Sequence, residues 1–341
     1  MRRGFPARAS PSQLWRDILR QPLLWALAAV LGRGPEKRRP VDAQREAPGR
    51  VLLVRPDHLG DLLFLTPAIR RLRDRWPEAE VICLVGPWGE RILAGNPDVN
   101  RVVTFPFPWF DRQPRRSVID PYRRLARAIG MIRNFRCDVA LNFRSDFWWG
   151  ALALRMAGVP ERFGFAGSPE SSVYTTRVAF VSGTHEVERN LSLVDAATGL
   201  TAPPSELTVF YPDAAEHTTI DQRLGAIAGA HGDLGGRPLV VIHPGAGAPA
   251  KLWTANGFAR VADVLADRGM VVVIVGSPAE HDLVEAIRSR RRGGGLVLDE
   301  PMSLGELGAL FARSTVAIGV DSGPMHLAAA VGTPTVRLYG P

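Results

Sequence analysis

The amino-acid sequence predicts an α/β protein with two tandem, doubly wound parallel-sheet domains. From Arg50 onward, short apolar runs alternate with stretches of helical periodicity, which is the pattern of repeated β–α units. The apolar runs are continuous and do not alternate with polar residues, as is typical of strands in a parallel sheet that is covered on both faces. With 341 residues, of which 46% are hydrophobic and 22% charged, the chain is long enough for two domains and does not have the composition of a disordered protein.

The first predicted domain covers residues 50–200. Its strands are expected at 50–55, 79–86, 101–105, 138–143 and 162–165, and its helices at 61–75, 121–135, 148–157 and 185–199. The second predicted domain covers residues 238–341. Its strands are expected at 238–243, 270–276, 296–298, 315–320 and 335–339, and its helices at 254–268, 279–290, 303–312 and 324–331. The stretch 201–237 between them is rich in Pro and Gly, and we expect an irregular inter-domain connection there. Such folds bind ligands at the carboxyl ends of their strands, so the expected site is a cleft between the domains.

Almost all of the excess positive charge lies in the first fifty residues. The chain has 42 Lys and Arg against 34 Asp and Glu, a net charge of +8, of which residues 1–50 carry +7. A near-neutral body argues against nucleic-acid binding. Residues 1–49 form a basic extension whose apolar segment at 22–32 is too short to span a bilayer. This segment is either an interfacial helix on an anionic membrane or an ordinary packing helix.

Lysine and cysteine are both scarce. The only lysines are Lys37 and Lys251, whereas the chain has 40 arginines, so a single lysine in the second predicted domain stands out. Cys83 and Cys137 lie in or beside apolar runs. Their placement predicts buried free thiols and not a disulfide.

The loop after the first strand places a carboxylate at the start of a helix. Gly60 permits a sharp turn, and Asp61 then falls in the first helical turn. Asp61 is open to two interpretations. It is either a helix cap that interacts with the N-terminal dipole, or a general base that faces a bound substrate.

The loop HPGAGAPAKLW at 243–253 follows a strand and is rich in small residues. Such a loop lets phosphate oxygens approach the backbone closely. It is not a Walker A loop, because no Gly-Lys-Ser/Thr follows at the right spacing. It is not a G-x-G-x-x-G loop either, because Gly245 and Gly247 fit but the third position is Ala250. Lys251 is then either a solvated surface residue or an ammonium that binds a diphosphate.

The segment VDSGPMHL at 320–327 ends a buried strand and opens a helix. Pro324 fits the first helical turn, where its missing N–H costs nothing. We expect the backbone N–H groups of Ser322, Gly323 and Met325 to be free and to form an anion site beside His326.

Together, these loops resemble glycosyltransferase family 9, the lipopolysaccharide heptosyltransferases and their relatives. The resemblance is carried by residues 50–86, 94–103, 240–253 and 319–341, and it covers essentially 50–341. The segments D-x-L-G-D and D-S-G-P-M-H-L-A-A, in this order, are far more specific than any one loop. Residues 1–49 have no counterpart in the family, and relatives usually continue beyond the LYGP segment.

The resemblance implies two facing Rossmann-like domains, the B-type glycosyltransferase fold, with the acceptor bound by residues 50–200 and the nucleotide sugar by 238–341. It implies that Asp61 is the general base. In GSPAEHD, Glu280 is the nearest match to a Glu that contacts the donor ribose. The expected donor-binding residues are Gly245, Gly247, Lys251, Glu280, Asp321, Ser322, Gly323, Met325 and His326, and the expected acceptor-binding residues are Asp57, His58 and Gly60.

The expected activity is an inverting glycosyl transfer, with heptose from ADP-heptose as the family's majority donor. The expected acceptor is an anionic lipid-linked glycan such as a lipopolysaccharide core. No metal site or cofactor beyond the nucleotide sugar is expected, and a divalent metal is not strictly required. The expected location is cytoplasmic, at the inner face of the cytoplasmic membrane through residues 1–49. Two alternatives are a nucleotide-sugar epimerase of the same fold, which needs no acceptor, and a non-catalytic sugar-nucleotide-binding protein.

Overall fold

The structure is a computed structural model that describes residues 47–110, 119–167, 169–200, 207–231, 236–292, 296–298 and 301–340. Nearly all of the predicted basic extension at 1–49 lies outside these residues. Among the described helices, none is both long and apolar enough to cross a bilayer.

The first sheet has six strands in the order β3-β2-β1-β4-β5-β6. They are β1 Arg50–Arg55, β2 Glu80–Val85, β3 Arg101–Thr104, β4 Val139–Asn142, β5 Glu161–Phe165 and β6 Thr176–Val178. β1, β4, β5 and β6 pair in parallel, with Val51 opposite Val139 and Leu53 opposite Leu141. Strands β1 and β4 are almost wholly buried, which explains their continuous apolar sequences.

The second sheet has five strands in the order β11-β10-β7-β8-β9, and all of its pairs are parallel. They are β7 Leu239–His243, β8 Val271–Ile274, β9 Leu296–Val297, β10 Val316–Val320 and β11 Thr335–Leu338. Its core is formed by aliphatic side chains of the strands and of two helices, together with Phe258. The adjacent pairing of β7 with β10 brings the loops that follow these two strands to one edge of the sheet.

Eleven α-helices accompany these strands in the described part of the chain. They are α1 Leu59–Leu63, α2 Thr66–Arg75, α3 Glu90–Leu93, α4 Asp120–Phe135, α5 Trp148–Ala157, α6 Glu186–Thr198, α7 Ala214–His231, α8 Ala255–Asp267, α9 His281–Arg288, α10 Leu304–Arg313 and α11 Gly323–Ala330. The two parallel sheets with intervening helices confirm the predicted fold class.

Two details of the predicted elements are wrong. The single helix expected at 61–75 is two helices, because Pro67 has no N–H and the Thr66 hydroxyl donates instead to the Leu63 carbonyl at 2.8 Å. The stretch 201–237 is not irregular throughout, since α7 occupies 18 of its residues. Ile220 and Leu224 are buried on α7, which packs against α10.

The chain divides into two compact units. The first unit contains the described residues of 47–56, 72–84 and 105–200, and the second contains those of 57–71, 85–104 and 207–340. Helix α1 and the residues around it therefore belong to the second unit, together with the whole second sheet. The predicted division of roles between 50–200 and 238–341 stays a prediction.

Both cysteines are buried and free, as predicted. Burial raises the pKa of the Cys83 thiol to about 12. A thiol in this state is unreactive near neutral pH because the thiolate is the nucleophile.

Candidate functional site

The loops after β7 and β10 place Lys251 against Asp321. Lys251 ends a short 3₁₀ turn at Pro249–Lys251, and its Nζ lies 2.5 Å from Asp321 Oδ2. The Lys251 side chain is 48% exposed and the Asp321 side chain 27% exposed, so this ion pair is open to solvent. Residues 70 positions apart in the sequence, both selected from their motifs, are thus brought into direct contact.

Helix α11 begins immediately after Asp321. Its N-cap is Ser322, which has extended backbone angles of φ −151° and ψ 160°. The Ser322 hydroxyl is buried, and it has no hydrogen-bond partner among the residues described. The expectation of a free Met325 N–H is wrong, because this group donates to the Ser322 carbonyl at 3.2 Å. The N–H of Gly323 belongs to the first helical turn and has no acceptor within the helix.

His326 lies in the first turn of α11 and is held by groups from three directions. Its Nε2 lies 3.8 Å from Asp321 Oδ1, and its Nδ1 lies 2.9 Å from Nη1 of Arg337 on β11. The ring of Phe64 contacts the His326 ring edge-to-face, with 4.8 Å between the centroids. The sequence did not indicate Arg337, which reaches His326 because β11 pairs with β10.

Helix α1, which carries Asp61 in its first turn, packs against α11 within the second unit. The two helices approach closely because each has a glycine that faces a side chain of the other. A Cβ on Gly323 would lie 2.9 Å from the Leu59 side chain, and a Cβ on Gly60 would lie 3.5 Å from the His326 ring. The structure therefore brings the Asp61 helix to the end of α11 at which His326 and Asp321 lie.

The other residues of the first loop differ in exposure. Asp57 is 3% exposed, and its carbonyl accepts a hydrogen bond of 2.8 Å from the Trp88 indole. His58 is exposed, with its ring centroid 5.1 Å from that of Trp88. Their role in acceptor binding stays a prediction.

Glu280 caps the 3₁₀ turn Pro278–Glu280 and covers Gly245. Its Oε2 accepts hydrogen bonds from the backbone N–H of Ser277 at 2.7 Å and from the Ser277 hydroxyl at 2.8 Å. A Cβ on Gly245 would fall 1.5 Å from Glu280 Oε1, so Gly245 leaves room for this carboxylate. Nothing described lies within 4 Å of a Cβ on Gly247, which leaves Gly247 as the open glycine of the loop.

His243 is a buried histidine at the end of β7 that the sequence did not indicate as functional. It is 4% exposed, and its Nε2 lies 3.7 Å from Glu280 Oε2. Burial lowers the pKa of His243, with Glu280 acting in the opposite direction. The residue is therefore neutral at pH 7 and packs beneath the loop.

The strand-end cluster is the set Lys251, Asp321, Ser322, Gly323 and His326. It combines an ammonium, an imidazole and a helix N-terminus, which are groups that stabilise phosphate oxygens. Among the described residues, no group of three or more His, Cys, Asp or Glu side chains is arranged to hold a metal ion.

The chain matches the sequence model of glycosyltransferase family 9 (heptosyltransferase) over residues 123–341. It is also 30% identical over 294 residues to lipopolysaccharide heptosyltransferase 3 of Escherichia coli K12, covering 82% of this chain and 79% of that protein. The chain therefore belongs to glycosyltransferase family 9, and it is a glycosyltransferase.

Solved structures show the same fold. The glycosyl transferase family 9 protein from Veillonella parvula matches with a TM-score of 0.74 at 22% identity, covering 85% of this chain and 80% of that one. The E. coli ADP-heptose lipopolysaccharide heptosyltransferase II matches with a TM-score of 0.69 at 23% identity, covering 85% and 84%. These matches confirm the predicted B-type glycosyltransferase fold with two Rossmann-like domains.

Proposed function

We propose that this protein transfers heptose from ADP-heptose, with inversion, onto a lipopolysaccharide-core or related anionic lipid-linked glycan. The observation that carries the proposal is the contact of Lys251 with Asp321 beside His326 at the start of α11. The names of the relatives support the choice of sugar, since one is a lipopolysaccharide heptosyltransferase and another an ADP-heptose enzyme.

The strand-end cluster is assigned to the donor diphosphate. The Lys251 ammonium is half exposed and so is accessible to a ligand, while Asp321 fixes its position at 2.5 Å. The first-turn N–H of Gly323 and the imidazole of His326 add hydrogen-bond donors at the same place. Donors that are already in position stabilise negative charge as it develops on the leaving group.

Asp61 is assigned as the general base. Its carboxylate takes the proton from an acceptor hydroxyl while the hydroxyl oxygen attacks the anomeric carbon of the sugar. The bond between that carbon and the phosphate oxygen breaks on the opposite side, and ADP leaves with the electron pair. The packing of α1 against α11 supports this role, because it brings the Asp61 helix to the helix that carries His326.

Contact with an anionic membrane surface through residues 1–49 is also part of the proposal. It is supported by their charge, which is +7 for residues 1–50 in a chain of net charge +8. A lipid-linked acceptor would lie at such a surface.

Replacement of the base tests the chemical step. We expect Asp61→Asn to lower kcat by about 10²- to 10⁴-fold, because the amide cannot accept the proton. The affinity for ADP-heptose, measured by calorimetry, should change little, since Asp61 acts on the acceptor hydroxyl.

A matched control is Asp74→Asn, which makes the same change at an exposed carboxylate on α2. This variant should turn over like the unmodified protein. Turnover of Asp61→Asn near that of Asp74→Asn would show that the base is elsewhere.

A further inference from the structure

Arg337 makes a two-point contact with the start of α11. Its Nη1 lies 2.9 Å from His326 Nδ1, and its Nη2 donates to the Met325 carbonyl at 3.0 Å. The guanidinium is partly buried, and Arg337 lies on the edge strand β11. Two contacts with neighbouring residues hold the planar group in one orientation.

This contact determines which nitrogen of His326 carries the proton. A guanidinium has only donors and stays protonated throughout the accessible pH range. The nitrogen that faces it must therefore supply a lone pair, so Nδ1 is unprotonated. In a neutral imidazole the single proton is then on Nε2, the nitrogen that lies 3.8 Å from Asp321 Oδ1.

We propose that Arg337 is a positioning residue that holds His326 as the neutral Nε2–H tautomer, so that His326 presents a hydrogen-bond donor to the diphosphate of the sugar nucleotide. The identity of this ligand rests on the proposed function. The opposite tautomer would place a lone pair against phosphate oxygens, which repel it. Arg337 imposes this tautomer by donating to Nδ1, and the Asp321 carboxylate favours it from the side of Nε2.

Charged groups face both nitrogens of the His326 ring. Asp321 faces Nε2 from the end of β10 and is itself paired with Lys251. Arg337 faces Nδ1 from β11, and the uncharged ring of Phe64 lies directly after α1, the helix that carries Asp61. Arg337 thus distinguishes the two ring nitrogens, because it donates to Nδ1.

The tautomer is measured directly by long-range ¹H–¹⁵N NMR of ¹⁵N-histidine-labelled protein at about pH 8, where imidazole is neutral. The proposal predicts an unprotonated Nδ1 and a protonated Nε2 for His326 in the ligand-free protein. The Arg337→Lys variant keeps a cationic donor that cannot accept, so it should keep this tautomer. The Arg337→Met variant removes the donor and should raise the share of molecules in which Nδ1 is protonated.

The consequence for binding is measured by calorimetric titration with ADP-heptose at about pH 8. We expect Arg337→Met to bind it about two- to threefold more weakly, because only the molecules with a protonated Nε2 then donate to the diphosphate. A merely structural role of Arg337 would leave the protonated nitrogen of His326 unchanged in Arg337→Met.

The control is Arg313→Met, which removes an arginine of the same unit whose ion pair with Asp221 is exposed. It should leave both the His326 spectrum and the affinity unchanged. A protonated Nδ1 in the unmodified protein at about pH 8 would overturn the proposal, as would the same His326 tautomer in Arg337→Met as in the unmodified protein. If the unmodified protein does not bind ADP-heptose, the proposed function fails, while the NMR result still decides the tautomer.

Discussion

Arg55 and Lys251 are both cationic side chains near the carboxyl end of a parallel strand, but their surroundings differ. Arg55 ends β1 in the first unit, is 2% exposed, and donates to the Phe143 carbonyl, to Asn190 and to Glu186. Lys251 follows β7 in the second unit, is 48% exposed, and pairs with Asp321. The first cation is enclosed by protein groups, while the second is accessible. We infer that Arg55 stabilises its unit and that Lys251 binds a ligand.

The largest expected effect on stability is at Arg55. We expect Arg55→Met to lower the free energy of unfolding by about 3 kcal/mol, because buried partners lose their donor. The value lies at the lower end for a broken buried pair, since Arg189 still pairs with Glu186. Urea denaturation measures the change, with Arg313→Met as the exposed control at under about 1 kcal/mol. Equal losses in the two variants would remove the distinction between a buried and an exposed arginine.

The next effect concerns ligand affinity at Lys251. We expect Lys251→Met to bind ADP-heptose about 10- to 100-fold more weakly, because the diphosphate loses a charged donor. Its free energy of unfolding should change by less than about 1 kcal/mol, as for other exposed ion pairs. Lys251→Arg keeps the charge and should lose less affinity. Calorimetric titration with ADP-heptose measures these affinities. An unchanged affinity in Lys251→Met would assign this lysine to the solvated surface.

The smallest effect is at Asp146, after β4 in the first unit. Its hydrogen bond with Arg144 lowers the pKa of Asp146. The Asp146 side chain is 69% exposed and the Arg144 side chain 37% exposed, so solvent screens this interaction. A lowered pKa stabilises the folded state above the unfolded pKa of about 4, and this contribution is lost as the pH falls through the folded value. We expect Asp146→Asn to cost about 0.5 kcal/mol or less at pH 7 and less still at about pH 3, measured by urea denaturation. A cost as large as that of Arg55→Met would show that burial does not separate these sites.

The sequence predicted most strands because a buried parallel strand is apolar on both faces. Strand β6 was not predicted because it has three residues and none of them is buried. Helix α7 was not predicted because Pro and Gly flank it in the sequence and few of its residues form an apolar stripe. Local composition is a weak guide where burial is partial.

The site residues, like the strands and helices, could be predicted only where the sequence carries a local signal. Lys251 was predictable because it is the single lysine of the second predicted domain in an arginine-rich chain, and its contact with Asp321 supports that choice. Arg337 was not predictable, because its contact with His326 requires β11 to pair with β10 in three dimensions. The capping of Ser277 by Glu280 has a local signal, the S-x-x-E spacing, that predicts this hydrogen bond.

The central claim is that this protein moves heptose from ADP-heptose to a glycan acceptor, and ADP release measures it most directly. Purified protein is mixed with ADP-heptose, with and without a purified lipopolysaccharide-core acceptor, and ADP is measured over time. We predict that ADP release requires the acceptor and matches the heptose gained by the acceptor. Release of ADP or free sugar without an acceptor would favour the epimerase alternative. Tight binding of ADP-heptose with no release, when the acceptor is present, would indicate a non-catalytic sugar-nucleotide-binding protein and contradict the claim.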